Sequence, residues 1–191
     1  METLVHAVVR SAGFVVYDVP VPRGSESCQF AAIADQLRQA RPACQPTCHH
    51  VRKDIAAGLE SRYDELHHFL PDTDGEGADA WERLCQGYAS GTHAGDELTV
   101  RGEAGVYGCR IRVVGRRGSS WYGSSGGACT EVLTLAYFDD TDYSHYSSTR
   151  PLATCPPGAG DAAARAVDSR DVVGTDGREA PPRPSAPPLP V

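Results

Sequence analysis

The sequence predicts an α+β fold, and three segments carry that reading. A helical stripe runs from Cys28 to Ala40, where Phe30, Ile33, Ala34 and Leu37 recur at i, i+3, i+4 and i+7. A half-buried strand spans Cys109–Val114, with Cys109, Ile111 and Val113 alternating against Arg110, Arg112 and Val114. Residues 131–138 (EVLTLAYF) are apolar nearly throughout and predict a central strand buried on both faces. Helices come first and the pairing strands late, an order that fits α+β better than regular βαβ alternation.

Taken in order, the run FVVYDVPVP (Phe14–Pro22) reads as a strand until its prolines stop it, hence an edge strand or an approach loop. Ser27 is a suitable N-cap for the helix that begins at Cys28. A second helix fits residues 50–60, with Val51, Ile55 and Leu59 at four-residue spacing. A third, around Trp81–Tyr88, stacks Trp81, Leu84, Cys85 and Tyr88 on one side. A fourth is expected from Asp96 to Gly108; Gly102 and Gly105 each weaken it by about 1 kcal/mol relative to alanine, so tertiary packing must hold it. SSWYGSSGG (119–127) reads as a loop between strands, since it lacks the lysine of a phosphate loop. After the acidic turn of Asp139, Asp140 and Asp142, a short last strand covers Tyr143–Ser148.

Composition bounds the function. The chain has 191 residues and a formal net charge of −7, which argues against a general nucleic-acid binder. No apolar run reaches the roughly 18 residues that a membrane span needs, and the N-terminus does not read as a signal peptide. The expected setting is therefore the cytoplasm, or the nucleus. Seven cysteines, an odd number, argue against a disulfide framework. Nine of the 14 prolines lie at or beyond Pro151. The division expected is a domain over residues 1–152 and a Pro/Ala-rich disordered tail over 153–191, too poor in large apolar side chains to offset its ordering entropy. Cys44-x3-Cys48-His49-His50 lacks a second ligand pair at familiar spacing, and no metal or cofactor is expected.

One cysteine stands in a setting suited to chemistry. Cys28 opens a helix, whose N-terminus carries roughly half a positive charge and unpaired N–H groups. These stabilise a thiolate and can receive the oxyanion formed when it attacks a carbonyl. A buried structural cysteine would fit the same spacing. Cys and His far apart in sequence but adjacent in space form the usual cysteine-peptidase pair, and His145, in Tyr143-Ser144-His145-Tyr146-Ser147-Ser148, is a possible base. Spacing alone does not single it out from the seven histidines.

Four segments in order resemble one family. SESCQFAAIADQL (25–37) looks like the nucleophile motif of ovarian-tumour (OTU) cysteine peptidases, Asp-Gly-x-Cys-x-Phe-Arg-Ala before an Asp-Gln-Leu stretch. CHHVRKDIAAGL (48–59) resembles the next helix, with its His-x-x-Arg character. GDELTVRGEAGVYGCRIRVV (95–114) is similar to the central Gly-Asp-x-x-Thr-Leu segment, and VLTLAYFDDTDYSHYSS (132–148) to the closing His-Tyr-Asn/Asp-Ser strand.

The resemblance implies a papain-like OTU fold, a small sheet flanked by helices, acting as a monomer. It makes Cys28 the nucleophile and His145 the general base. Ser25 falls where the family has an Asp that shapes the oxyanion loop, and Ser147 where it has an Asn or Asp that orients the histidine. A serine is uncharged and shorter, so one of Asp139, Asp140 and Asp142 is an alternative source of the carboxylate. The implied reaction is hydrolysis of isopeptide bonds after the C-terminal Gly-Gly of ubiquitin or a ubiquitin-like protein. The alternative is a weak or inactive module that binds ubiquitin.

Overall fold

The computed structural model describes residues 3–22, 26–69, 77–123, 131–140 and 143–152. Thr3 begins the fold by accepting the His6 N–H, capping α1 (Leu4–Ser11), a helix with two buried residues, Val5 and Val9. That leaves too sparse a stripe to stand out in the sequence. Strand β1 (Phe14–Tyr17) follows. Helices α2 (Cys28–Ala40), α3 (Cys48–Glu60), α4 (Tyr63–Leu66), α5 (Gly77–Ser90) and α6 (Glu97–Tyr107) form the next block. Then come β2 (Arg110–Gly115), β3 (Gly118–Tyr122), β4 (Val132–Asp140) and β5 (Tyr143–Pro151).

The five strands make one mixed sheet in the order β1-β5-β4-β2-β3. β2 and β4 are parallel, and the other neighbours are antiparallel. Both the α+β class and the central place of β4 are as the sequence predicts. Two expectations need correction. Residues 118–122 are an edge strand, since Ile111 to Gly115 pair with Tyr122 to Gly118 across a two-residue turn; the glycines beyond Gly123 lie outside the described residues. The strands also do not all come late, because β1 pairs with β5 near the far end of the described chain.

Each sheet face carries a core. On one face Phe30, Ile33 and Leu37 of α2 join Ile55 and Leu59 of α3, Trp81 and Tyr88 of α5, and Ile111, Leu133 and Leu135 of the sheet. On the other, Val5 and Val9 of α1 cover Val114 and Ala136. β5 has few apolar residues, yet Ser147, Ser148 and Thr149 are buried. Their hydroxyls all donate: Ser147 to Asp18, Ser148 to Asp35 and Thr149 to the Thr134 carbonyl. Buried hydroxyls are tolerated on those terms.

α2 is pinned to β5 by the same polar groups. Gln36 Nε2 donates to Ser148 Oγ and to the Thr149 carbonyl, each at 2.8 Å, and Arg150 grips the Asp35 carboxylate with two nitrogens. Burial raises the Asp35 pKa, but the Arg150 and Ser148 bonds outweigh it and hold the carboxyl below its ordinary value. At the other end of the helical block, α6 starts and stops as predicted. Asp96 caps it by accepting the Thr99 N–H, and Gly108 ends it in the left-handed conformation (φ +58°) that glycine adopts without strain.

Candidate active site

Cys28 is the first residue of α2 and is half-buried. Ser27 holds the N-cap position but does not cap with its side chain. This corrects the sequence reading: its hydroxyl instead accepts from Arg52 Nη2 at 3.1 Å. The helix is anchored one residue further in. Gln29 is fully buried, and its Nε2 donates to Thr99 Oγ1 (2.8 Å), Glu103 Oε1 (3.2 Å) and the Asp96 carbonyl (3.3 Å). Burial, with the nearby Asp96 charge assisting and the Gln29 bond opposing, pushes the Glu103 carboxyl well above its ordinary range. Gly95 must be glycine here, because a Cβ would stand 2.8 Å from Gln29 Cβ.

Beyond Cys28 opens a cleft of about 590 Å³. One wall is Glu26, Cys28, Gly95, Asp96 and Glu97; the facing side carries Arg116 and Arg117 of the β2–β3 turn with Tyr137, Ser144 and Tyr146 of β4 and β5. Burial pushes the Tyr146 hydroxyl up, so it meets the cleft as a neutral phenol. Cys85 differs from Cys28: it is buried in the core, where desolvation first and Glu60 second push its thiol up to about 11.

Strand alternation decides where His145 faces. Ser144 and Tyr146 line the cleft with Cys28. His145 is paired with Phe138, ring centroids 6.4 Å apart, on the face that also carries Ser147. There His145 Nε2 lies 3.9 Å from Asp18 Oδ1, and Ser147 Oγ donates to that same oxygen at 2.6 Å. The His145 side chain is 22% exposed and Asp18 is 76% exposed.

The predicted residues fall into three groups. His145 and Ser147 stand side by side, linked through Asp18. Cys28 sits in the cleft with Ser144 and Tyr146, and His145 does not line that cleft, because alternation along β5 turns its ring to the opposite face. Ser25 lies outside the described residues. Of the carboxylates the sequence offered, Asp139 lines the cleft and pairs with Arg116 at 3.5 Å, while Asp142 and the Asp140 side chain lie outside the description. Asp18 is the residue that sequence reasoning missed. His50, in the cluster weighed as a metal site, closes a capping box with Thr47. Among the described residues no group of three or more His, Cys, Asp or Glu side chains is placed to hold a metal ion, and no helix is long and apolar enough to cross a membrane.

The mixed five-stranded sheet with a cysteine-led helix packed on its face has the fold of OTU domains, as its likeness to solved structures shows. The chain is similar to the OTU domain of OTUD1 (8% identity over 77% of this chain and 92% of that one, TM-score 0.54). It is similar also to an OTU domain solved in complex with ubiquitin (14% identity, 83% and 86% covered, TM-score 0.52). A third is an OTU deubiquitinase from Wolbachia pipientis wMel (14% identity, 76% and 93% covered, TM-score 0.50). No family model and no curated protein matches the sequence.

Proposed function

We propose that this protein is an OTU-type cysteine peptidase that hydrolyses the bond after the C-terminal Gly-Gly of ubiquitin or a ubiquitin-like protein. The observation that carries the reading is the position of Cys28. It begins a helix in a cleft whose β5 wall is formed by the two neighbours of His145, within a fold similar to that of an OTU domain solved with ubiquitin.

In the proposed reaction the Cys28 thiolate attacks the glycine carbonyl, and N–H groups at the start of α2 receive the oxyanion. His145, whose ring lies on the other face of β5 from the cleft, would have to turn toward it to give a proton to the departing amine and then take one from the water that hydrolyses the thioester. Asp18, 3.9 Å from Nε2, would orient the ring from that side, and Ser147 donates to the same carboxylate. Ser25 would shape the oxyanion loop. Glu26, Asp96 and Glu97 give the cleft one acidic wall, suited to the arginines that precede the glycines in the tail of ubiquitin.

The test is hydrolysis of a ubiquitin C-terminal amide reporter by the wild type and by Cys28→Ala. Turnover by the wild type and none by the variant is expected; equal rates would refute the assignment. A second reading, binding without cleavage, draws on the 3.9 Å gap between Asp18 and His145, too long for a hydrogen bond. It would show as saturable ubiquitin binding without turnover.

A further inference from the structure

Arg52 is the most highly connected side chain near Cys28, and the reaction as written gives it no role. It projects from α3 and is 3% exposed. Nη1 donates to the carbonyls of Tyr88 (2.9 Å) and His93 (3.0 Å). Nη2 donates to the Glu26 carbonyl and to Ser27 Oγ. The guanidinium carbon sits 4.1 Å above the Phe30 ring. One planar group thus ties the residues before Cys28, the first turn of α2, the end of α5 and the segment leading to Ala94 and Gly95. Glu26, Ala94 and Gly95 all line the cleft.

The Glu26 contact has a geometric consequence. A trans peptide bond points its carbonyl oxygen and its N–H in opposite directions. Drawing the Glu26 carbonyl toward α3 therefore turns the Ser27 N–H away from α3. We infer that Arg52 is a positioning residue that fixes the Glu26–Ser27 peptide so that the Ser27 N–H serves as an oxyanion donor beside Cys28. The inference deepens the proposed peptidase function and rests on it. Lysine cannot replace the arginine, because a point ammonium cannot reach two carbonyls on one side and the Glu26–Ser27 pair on the other.

The test compares Arg52→Lys with wild type in three measurements. Turnover of the ubiquitin amide needs an oxyanion; its kcat is expected to fall by at least 10-fold, toward the about 10²–10³ that loss of an oxyanion donor costs, with KM little changed. Alkylation of Cys28 by iodoacetamide forms no oxyanion, and its rate is expected to stay the same. Amide hydrogen exchange across residues 26–29 is expected to quicken, with exchange in β4 unchanged. A merely structural role would slow turnover and alkylation together, and that result would overturn the inference. So would unchanged exchange at residues 26–29, a readout that stands even if the wild type cleaves nothing and the peptidase reading fails. Should Arg52→Lys not fold, Ser27→Ala removes one acceptor of the same guanidinium. It is expected to show the same split to a smaller degree, and a parallel loss or no change would overturn the inference.

Discussion

His145 has its carboxylate neighbour at the other end of the described chain, and the hydroxyl of Ser147 explains how Asp18 is kept there. Ser147 is 1% exposed and donates to Asp18 Oδ1, the oxygen that faces His145 Nε2. A serine where an amide or acid is expected is therefore no loss if a nearby strand end supplies the acid. Asp18→Ala is expected to lower kcat/KM, by less than the about 10⁴ that a spoiled orienter costs a serine peptidase, because a cysteine can already be a thiolate. Ser147→Asn is expected to be harmful rather than helpful, since the larger amide has no room at a buried position and displaces Asp18. Wild-type kcat/KM in Asp18→Ala, measured on the ubiquitin amide, would remove Asp18 from the account. Cys28 and His145 were nominated in the sequence by the segments around them, which resemble the motifs of one family. Asp18 was not. It follows Tyr17, which pairs with Ser148, and no local signal announces a pairing between strands so far apart in sequence.

At the scale of elements, α2 is held at two seams. Asp35 and Gln36 lock it to β5, and Gln29 locks it to α6 through Thr99 and Glu103. Two buried oxygens in the second seam, Gln29 Oε1 and Glu103 Oε2, have no partner unless the carboxyl carries a proton to share. The raised pKa of Glu103 fits a protonated acid. The sign of its effect on stability follows. Above the ordinary carboxyl value of 4.5 the unfolded chain releases a proton that the fold retains. The contribution of Glu103 is thus fully present below that pH and is lost as pH rises toward the folded pKa. Glu103→Gln offers a permanent donor. Its thermal stability is expected to match wild type near about pH 4, where the acid is largely protonated in both states, and to exceed it by a growing margin at neutral and alkaline pH. Parallel stability curves would contradict this. Helices with their own caps and stripes, such as α6 between Asp96 and Gly108, were legible. The mode of holding Ser27 was not, because a hydroxyl that reads as a cap is taken by an arginine from another helix. β3 hid for a similar reason: its glycine and serines follow no apolar alternation, and pairing with β2 alone makes it a strand.

At the scale of the whole molecule, the described fold closes with β5 at Pro151, which pairs with Phe14 of the first strand. The residues proposed for catalysis all precede that point. Deleting residues 156–191 removes no aromatic side chain and no candidate catalytic group, so kcat/KM is expected to be unchanged. A large loss would place the tail within the working domain. The net charge of −7 is expected to favour encounter with a basic tail and to make association weaken as salt rises. All of this depends on Cys28 being a nucleophile presented to the C-terminus of ubiquitin or a relative. The most direct measurement is reaction of the full chain with ubiquitin bearing a C-terminal electrophile, followed by mass mapping of the adduct. The account expects one adduct, on Cys28, that is absent from Cys28→Ala. An adduct on any other cysteine, or one that survives Cys28→Ala, would contradict it.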